Sequence, residues 1–222
     1  MEGEAMDFSF LTRADIMKTL LDGLLVTLEV ALFSILFSFI CGIVLGTLRY
    51  TKIPVLSHLA ALYIETVRNL PLLLIIFFGF FAFKEWGWEL PITISVIISM
   101  TIFTSALVGE IVRGGLNSVD KGQIEAARAS GLTYVQTLWH IVLPQALRRM
   151  IPPMVSQFVS LLKDTSLAVA ISLPELMHNA QIVYSRYYNM TVPLLIFVSL
   201  VYFVINYRLS QASRQLEKKL AG

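Results

Sequence analysis

Five stretches of the chain stay apolar for about the 20 residues that a helix needs to cross a bilayer, with polar residues gathered between them. They run from about Leu20 to Leu48, Leu59 to Phe83, Ile92 to Val112, Ile151 to Ser172 and Pro193 to Leu209. The runs are continuous and do not alternate, which predicts helices rather than the strands of a barrel. Two of them are less simple: the second carries Glu65, Arg68 and Pro71, and the fourth carries Lys163 and Asp164. The fold class expected is all-α, a polytopic membrane protein with five transmembrane helices.

The longest polar connection, residues 113–149, has helical features of its own. Asp120 and Gln123 have capping-box spacing ahead of Ile124-Glu125-Ala126-Ala127-Arg128-Ala129, and Gly131 can take the left-handed conformation that ends such a helix. Thr133 and Gln136 repeat the capping spacing for a second short helix through Ile141, expected to end as it meets Pro144. The connection therefore reads as two short helices around a sharp glycine turn, a folded surface and not a linker.

Composition agrees with the pattern. Charged residues make up 14% of the 222-residue chain, against about 25% in soluble domains, which excludes a soluble enzyme domain, a disordered chain and a nucleic-acid-binding domain. Cys41 is the single cysteine and His58, His140 and His178 lie in separate segments, so no metal site is expected. The acidic start (Glu2, Glu4, Asp7) is unlike a signal peptide, and the first apolar run is expected to remain. Charge then sets orientation. One side collects Arg49, Lys52, Arg113, Lys121, Arg128, Arg148, Arg149, Arg208, Arg214, Lys218 and Lys219; the other holds four basic residues, Arg13, Lys18, Lys84 and Arg186. By the positive-inside rule the N-terminus lies outside and the C-terminus in the cytoplasm, with Trp86 and Trp88 at the outer interface. The expected layout is an extracytoplasmic tail (1–18), a membrane domain (19–212) that includes the 113–149 loop, and a cytoplasmic tail (213–222).

Within this frame the cytoplasmic loop carries Glu125-Ala126-Ala127, three residues, Gly131, nine residues, then Ile141-Val142-Leu143-Pro144. This resembles the EAA signature of bacterial ABC-importer permeases at every signature position. Tyr63-Ile64-Glu65-Thr66-Val67-Arg68-Asn69-Leu70-Pro71, Gly109-Glu110-Ile111-Val112-Arg113-Gly114-Gly115 and Leu162-Lys163-Asp164-Thr165-Ser166-Leu167 are similar to the second, third and fourth spans of polar amino-acid permeases. The resemblance covers most of residues 60 to 210 and implies a type I ABC importer-like fold and a transporter, not an enzyme, without a cofactor of its own.

It further implies partners: a second permease subunit, cytoplasmic ABC ATPase subunits and an extracytoplasmic amino-acid-binding protein. The chain has no GxxxxGK[ST] phosphate loop, so the ATPase is expected on a separate polypeptide. Glu125, Ala126, Ala127, Gly131, Leu143 and Pro144 are the expected ATPase-coupling residues. Substrate contacts must come from polar groups in the spans, because a charge facing lipid at mid-bilayer costs about 2.5–3.5 kcal/mol even on the mildest scale. Asp164 could receive an amino acid's ammonium, with Gln157 seven residues earlier on the same helical face addressing its side chain; the rival role for Asp164 is an ion pair between subunits. Lys163, Thr165, Arg68 and Asn69 complete the candidates. Glu65 and Arg68, three apart, are expected to pair with each other, as are Glu110 and Arg113. Gln157 with Lys163 leans toward glutamine, glutamate or aspartate. The alternative is an ion-coupled secondary transporter that works without an ATPase through the buried acids Glu29, Glu65 and Asp164.

Overall fold

The computed structural model describes the backbone of residues 7–51 and 53–221 and the side chains as far as Gln215. Of the charges sorted above, Glu2, Glu4, Lys52 and the side chains of Lys218 and Lys219 lie outside the described residues. Helices follow in chain order: α1 (Ala14–Thr51), α2 (Leu56–Arg68), α3 (Leu72–Glu85), α4 (Ile92–Asn117), α5 (Lys121–Ala129), α6 (Tyr134–Thr137), α7 (Leu143–Asp164), α8 (Leu176–Arg186) and α9 (Thr191–Ala221). Among the described residues, four continuous helical stretches are long and apolar enough to cross a membrane, and a fifth span results if α2 and α3 count as one broken helix.

Two expectations are corrected at prolines. The second span is not one helix: α2 ends at Arg68 and α3 starts at Leu72. Proline disfavours helical backbone in the residue before it and cannot donate to the preceding turn, so Asn69, Leu70 and Pro71 form the break. Conversely, the helix begun at Tyr134 does not stop at Pro144. It continues through a wider π turn (Leu138–Val142) into α7, and then through a tighter 3-10 segment to Ile171. Pro144 is the second residue of α7, directly after the π turn, in which the Leu143 N–H donates to the Leu138 carbonyl. The second loop helix is thus the start of the fourth span.

The chain divides into two compact units, residues 1–34, 72–100 and 159–209, and residues 35–71, 101–158 and 210–222. In the first unit, Phe10, Ile16 and Leu20 pack with Leu176, Ala180 and Val183 of α8 and with Leu194 and Val198 of α9. Phe10 belongs to a short 3-10 turn (Ser9–Thr12) and has no exposed surface. Close helix approach depends on Gly23: a Cβ there would fall 2.8 Å from Asn179 Nδ2 and 2.9 Å from the Glu175 carbonyl oxygen. Thr27 Oγ1 accepts from the Leu176 N–H at 3.1 Å, and Asn179 Nδ2 donates to the Thr19 carbonyl at 2.8 Å.

In the second unit, Val108, Val112, Leu116 and Val119 interlock with Val142, Ala146, Met150 and Met154. Four-residue spacing puts Val108, Val112 and Leu116 on one face of α4 and Val142, Ala146, Met150 and Met154 on one face of the α7 stretch, with Val119 following just after α4. Gly42 and Gly46 let α1 lie against α4: added Cβ atoms would sit 2.4 Å from a Val108 methyl and 2.5 Å from the Gly109 carbonyl oxygen. Such contacts substitute for the hydrophobic driving force that helices lack among lipid tails.

Candidate functional site

The 113–149 connection is built as a rigid corner. Asp120 caps α5 by accepting from the Gly122 N–H at 2.7 Å, a one-sided cap in place of the reciprocal box expected with Gln123. Gly131 then turns the chain at φ +90°, where a side chain would be strained, and Arg128 donates to the Leu132 carbonyl at 2.9 Å across that turn. Thr133 and Gln136 form the full capping box: the Gln136 N–H donates to Thr133 Oγ1 (3.3 Å) and the Thr133 N–H to Gln136 Oε1 (2.8 Å). Arg149 of α7 donates to the Ser118 carbonyl and so ties the far end of the loop to its start.

This corner sorts the expected coupling residues. Glu125, Ala126, Gly131 and Pro144 are exposed, Leu143 is partly covered, and Ala127 is buried. Tyr134, Val135 and Trp139, 57–61% exposed, add an apolar patch that motif spacing did not single out. Their signal was available: three large apolar residues follow a helix cap in a loop that should otherwise be polar.

A family model described as a binding-protein-dependent transport system inner membrane component matches residues 34–222. The chain belongs to this family. It is 58% identical over 214 residues, 96% of this chain and 98% of the relative, to a probable glutamine ABC transporter permease protein, GlnP, of Bacillus subtilis (strain 168). It is 38% identical over 200 residues to a second such protein of the same organism, GlnM, covering 90% of this chain and 92% of the relative. Among solved structures, an amino acid ABC transporter with histidines superposes with a TM-score of 0.88 at 26% identity, over 96% of this chain and 100% of that one. The protein is thus a multi-pass membrane permease of the ABC-importer class with a type I importer fold, which sets aside the secondary-transporter alternative.

In the permease the six candidate substrate residues divide between the units. Arg68, Asn69 and Gln157 fall in the second, and Lys163, Asp164 and Thr165 in the first. Asp164 is the last residue of α7, where the helix tightens. It is partly buried, and among the described residues no ion pair holds it, whereas Lys163 beside it is exposed. Thr165 is fully buried and returns its hydroxyl to the Leu162 carbonyl at 2.8 Å. Asn69 Nδ2 donates to the Glu65 carbonyl at 2.6 Å, closing the frayed end of α2.

Arg68 is drawn into an ion network, and the expected Glu65–Arg68 pair does not form. Glu65 bonds Arg49 at 2.6 Å, while Arg68 lies 3.6 Å from Glu110. The reason is tertiary: Arg49, arriving on α1, offers a planar fork that reaches both Glu65 and Glu110 (2.8 Å) at once. Glu110 also takes the expected bond from Arg113, through Nη2 at 2.6 Å and Nε at 3.0 Å. One polar centre escaped sequence reasoning altogether. Glu175, in the connection after the fourth span, is fully buried and caps α8 through the Met177 (2.9 Å) and His178 (2.7 Å) N–H groups, with Tyr202 donating to Oε2 at 3.2 Å. Burial holds its carboxyl above the ordinary glutamate value, against the downward pull of those three donors. Only the Pro174-Glu175 pair ahead of an apolar segment hinted at a cap there.

Proposed function

We propose that this permease imports glutamine, driven by a separate ATPase. The observation that carries the reading is the 58% identity, nearly end to end, with a probable glutamine permease. In this reading the exposed corner of Glu125, Ala126 and Gly131, with Leu143, Pro144 and the Tyr134–Trp139 apolar patch, seats in an ATPase cleft. Ala127 supports the seat from beneath. An extracytoplasmic binding protein delivers the amino acid. Asp164 receives the ammonium, with Gln157 seven residues back along the same helix, and Lys163, Thr165, Arg68 and Asn69 shape the path.

The N-terminus lies outside and the C-terminus in the cytoplasm. In support, both connections assigned to the outer side by charge (84–91 and 173–192) belong to the first unit. Those assigned to the cytoplasm belong to the second. Glu29 is exposed on α1 beside Leu25, Leu28 and Leu32; since a charge facing lipid is costly, this face lies against the second permease subunit, identical or related.

Reconstitution with ATPase subunits and binding protein in vesicles tests the reading. ATP-dependent glutamine uptake that persists with an ionophore is expected. Uptake that needs no ATP, or that prefers another amino acid, would overturn it.

A further inference from the structure

The ion network of the second unit carries more positive than negative charge. Among the described residues, Arg49, Arg68 and Arg113 face Glu65 and Glu110, which leaves one net positive charge in the network. Glu65 and Arg68 are exposed, whereas Arg49 and Arg113 are more covered. A cavity of about 460 Å³ opens beside the network, walled by Arg49 and Arg113 together with Ser57, His58 and Asn117, and no carboxylate lines it among the described residues.

The guanidiniums retain donors for it. Arg113 spends Nε and Nη2 on Glu110 and keeps both N–H groups of Nη1. Arg49 commits one bond from each terminal nitrogen, to Glu110 and to Glu65, and each of those nitrogens carries a second hydrogen. Both side chains are held in place, with 18% and 32% of their surface exposed. A planar, immobilised fork with unspent donors suits a phosphate or carboxylate group.

The rim says which anion. Along α2 and the residue before it, Val55, Leu56, Leu59 and Leu62 are 46–67% exposed. Leu62 stands one helical turn beyond His58, which lines the cavity, and Leu59 one turn before Leu62, so the apolar stripe meets the cavity wall at His58. A small soluble anion has no use for such a ridge, whereas a lipid would lay an acyl chain along it.

We propose that this cavity binds the phosphodiester headgroup of an anionic phospholipid. The phosphate takes the free N–H groups of Arg49 and Arg113, His58 and Asn117 lie against the headgroup, and one chain follows the α2 ridge. A single negative charge balances the network, and a glycerol headgroup keeps that charge uncompensated. A choline headgroup brings its own cation and does not. The site is independent of which amino acid the permease carries.

The test uses the full chain in detergent, stripped of lipid, with native mass spectrometry and thermal unfolding. Phosphatidylglycerol should remain bound and raise Tm, weakening as salt increases, while phosphatidylcholine and inorganic phosphate should do neither. Asn117→Asp and His58→Glu, which put a carboxylate in the cavity without removing a network member, should each lower phosphatidylglycerol affinity tenfold or more. Leu59→Gln with Leu62→Gln should weaken it several-fold. Equal binding of the two lipids, or unchanged phosphatidylglycerol binding by both carboxylate variants with unaltered lipid-free Tm, would overturn the proposal. Stabilisation by inorganic phosphate equal to that by phosphatidylglycerol would overturn the lipid as the ligand.

Discussion

Glu175 is fully buried and Glu110 partly so, and their surroundings differ. Glu110 meets three guanidiniums, whereas Glu175 meets two backbone N–H groups and a phenol. With no cation to offset burial, the native carboxyl of Glu175 titrates above its ordinary value. An acid with a raised native pKa contributes stability that is full at low pH and is lost as pH rises through that native value. Glu175→Gln has nothing to ionise. Its Tm relative to the natural protein should therefore climb as pH rises from about 4.5 upward; parallel pH profiles of the two proteins would refute the assignment. Glu110→Gln acts in the opposite sense. Three cations would surround a neutral amide, and a loss of about 2 kcal/mol or more is expected from breaking so many partly buried ionic bonds, read as a lowered Tm at neutral pH.

At the level of elements, the corner between α5 and α6 depends on backbone conformation more than on packing. Gly131 has φ +90° and open space where a Cβ would go, so Gly131→Ala costs conformational strain of about 1–2 kcal/mol without a clash. Thr133→Ala removes half of the capping box, worth about 1 kcal/mol. Both variants should reach the membrane and still bind ATPase subunits less well in copurification, because they loosen the corner and leave its surface chemistry intact. Unchanged copurification by both would show that the seat does not depend on this turn. The proline outcomes follow the same logic. Pro71 stands at the break between α2 and α3, whereas Pro144 follows a π turn and Pro152 and Pro153 lie inside α7 without ending it.

For the whole molecule, transport joins events at the loop to events in the spans, so the informative variant alters one and spares the other. Asp164→Asn should reduce amino-acid uptake at least tenfold in reconstituted vesicles, while ATPase association and basal hydrolysis stay near normal. Full uptake by that variant would remove Asp164 from substrate recognition. Loss of assembly would favour its rival role in an ion pair between subunits.

Much of this was readable from residue order, and the reason is the solvent. A bilayer demands that each spanning backbone satisfy itself, so a run of apolar residues commits to helix locally. The turn at Gly131 and the Thr133–Gln136 box are contacts three or four residues apart, and they too appear in the sequence. The folded molecule decided whatever depends on side chains meeting from distant positions. Arg49 took Glu65 from Arg68, Thr27 came to bond the start of α8, and Tyr202 covered a glutamate that looked like an ordinary loop acid. Periodicity reports which face of a helix avoids water or lipid; which partner that face receives is set only when separate helices pack.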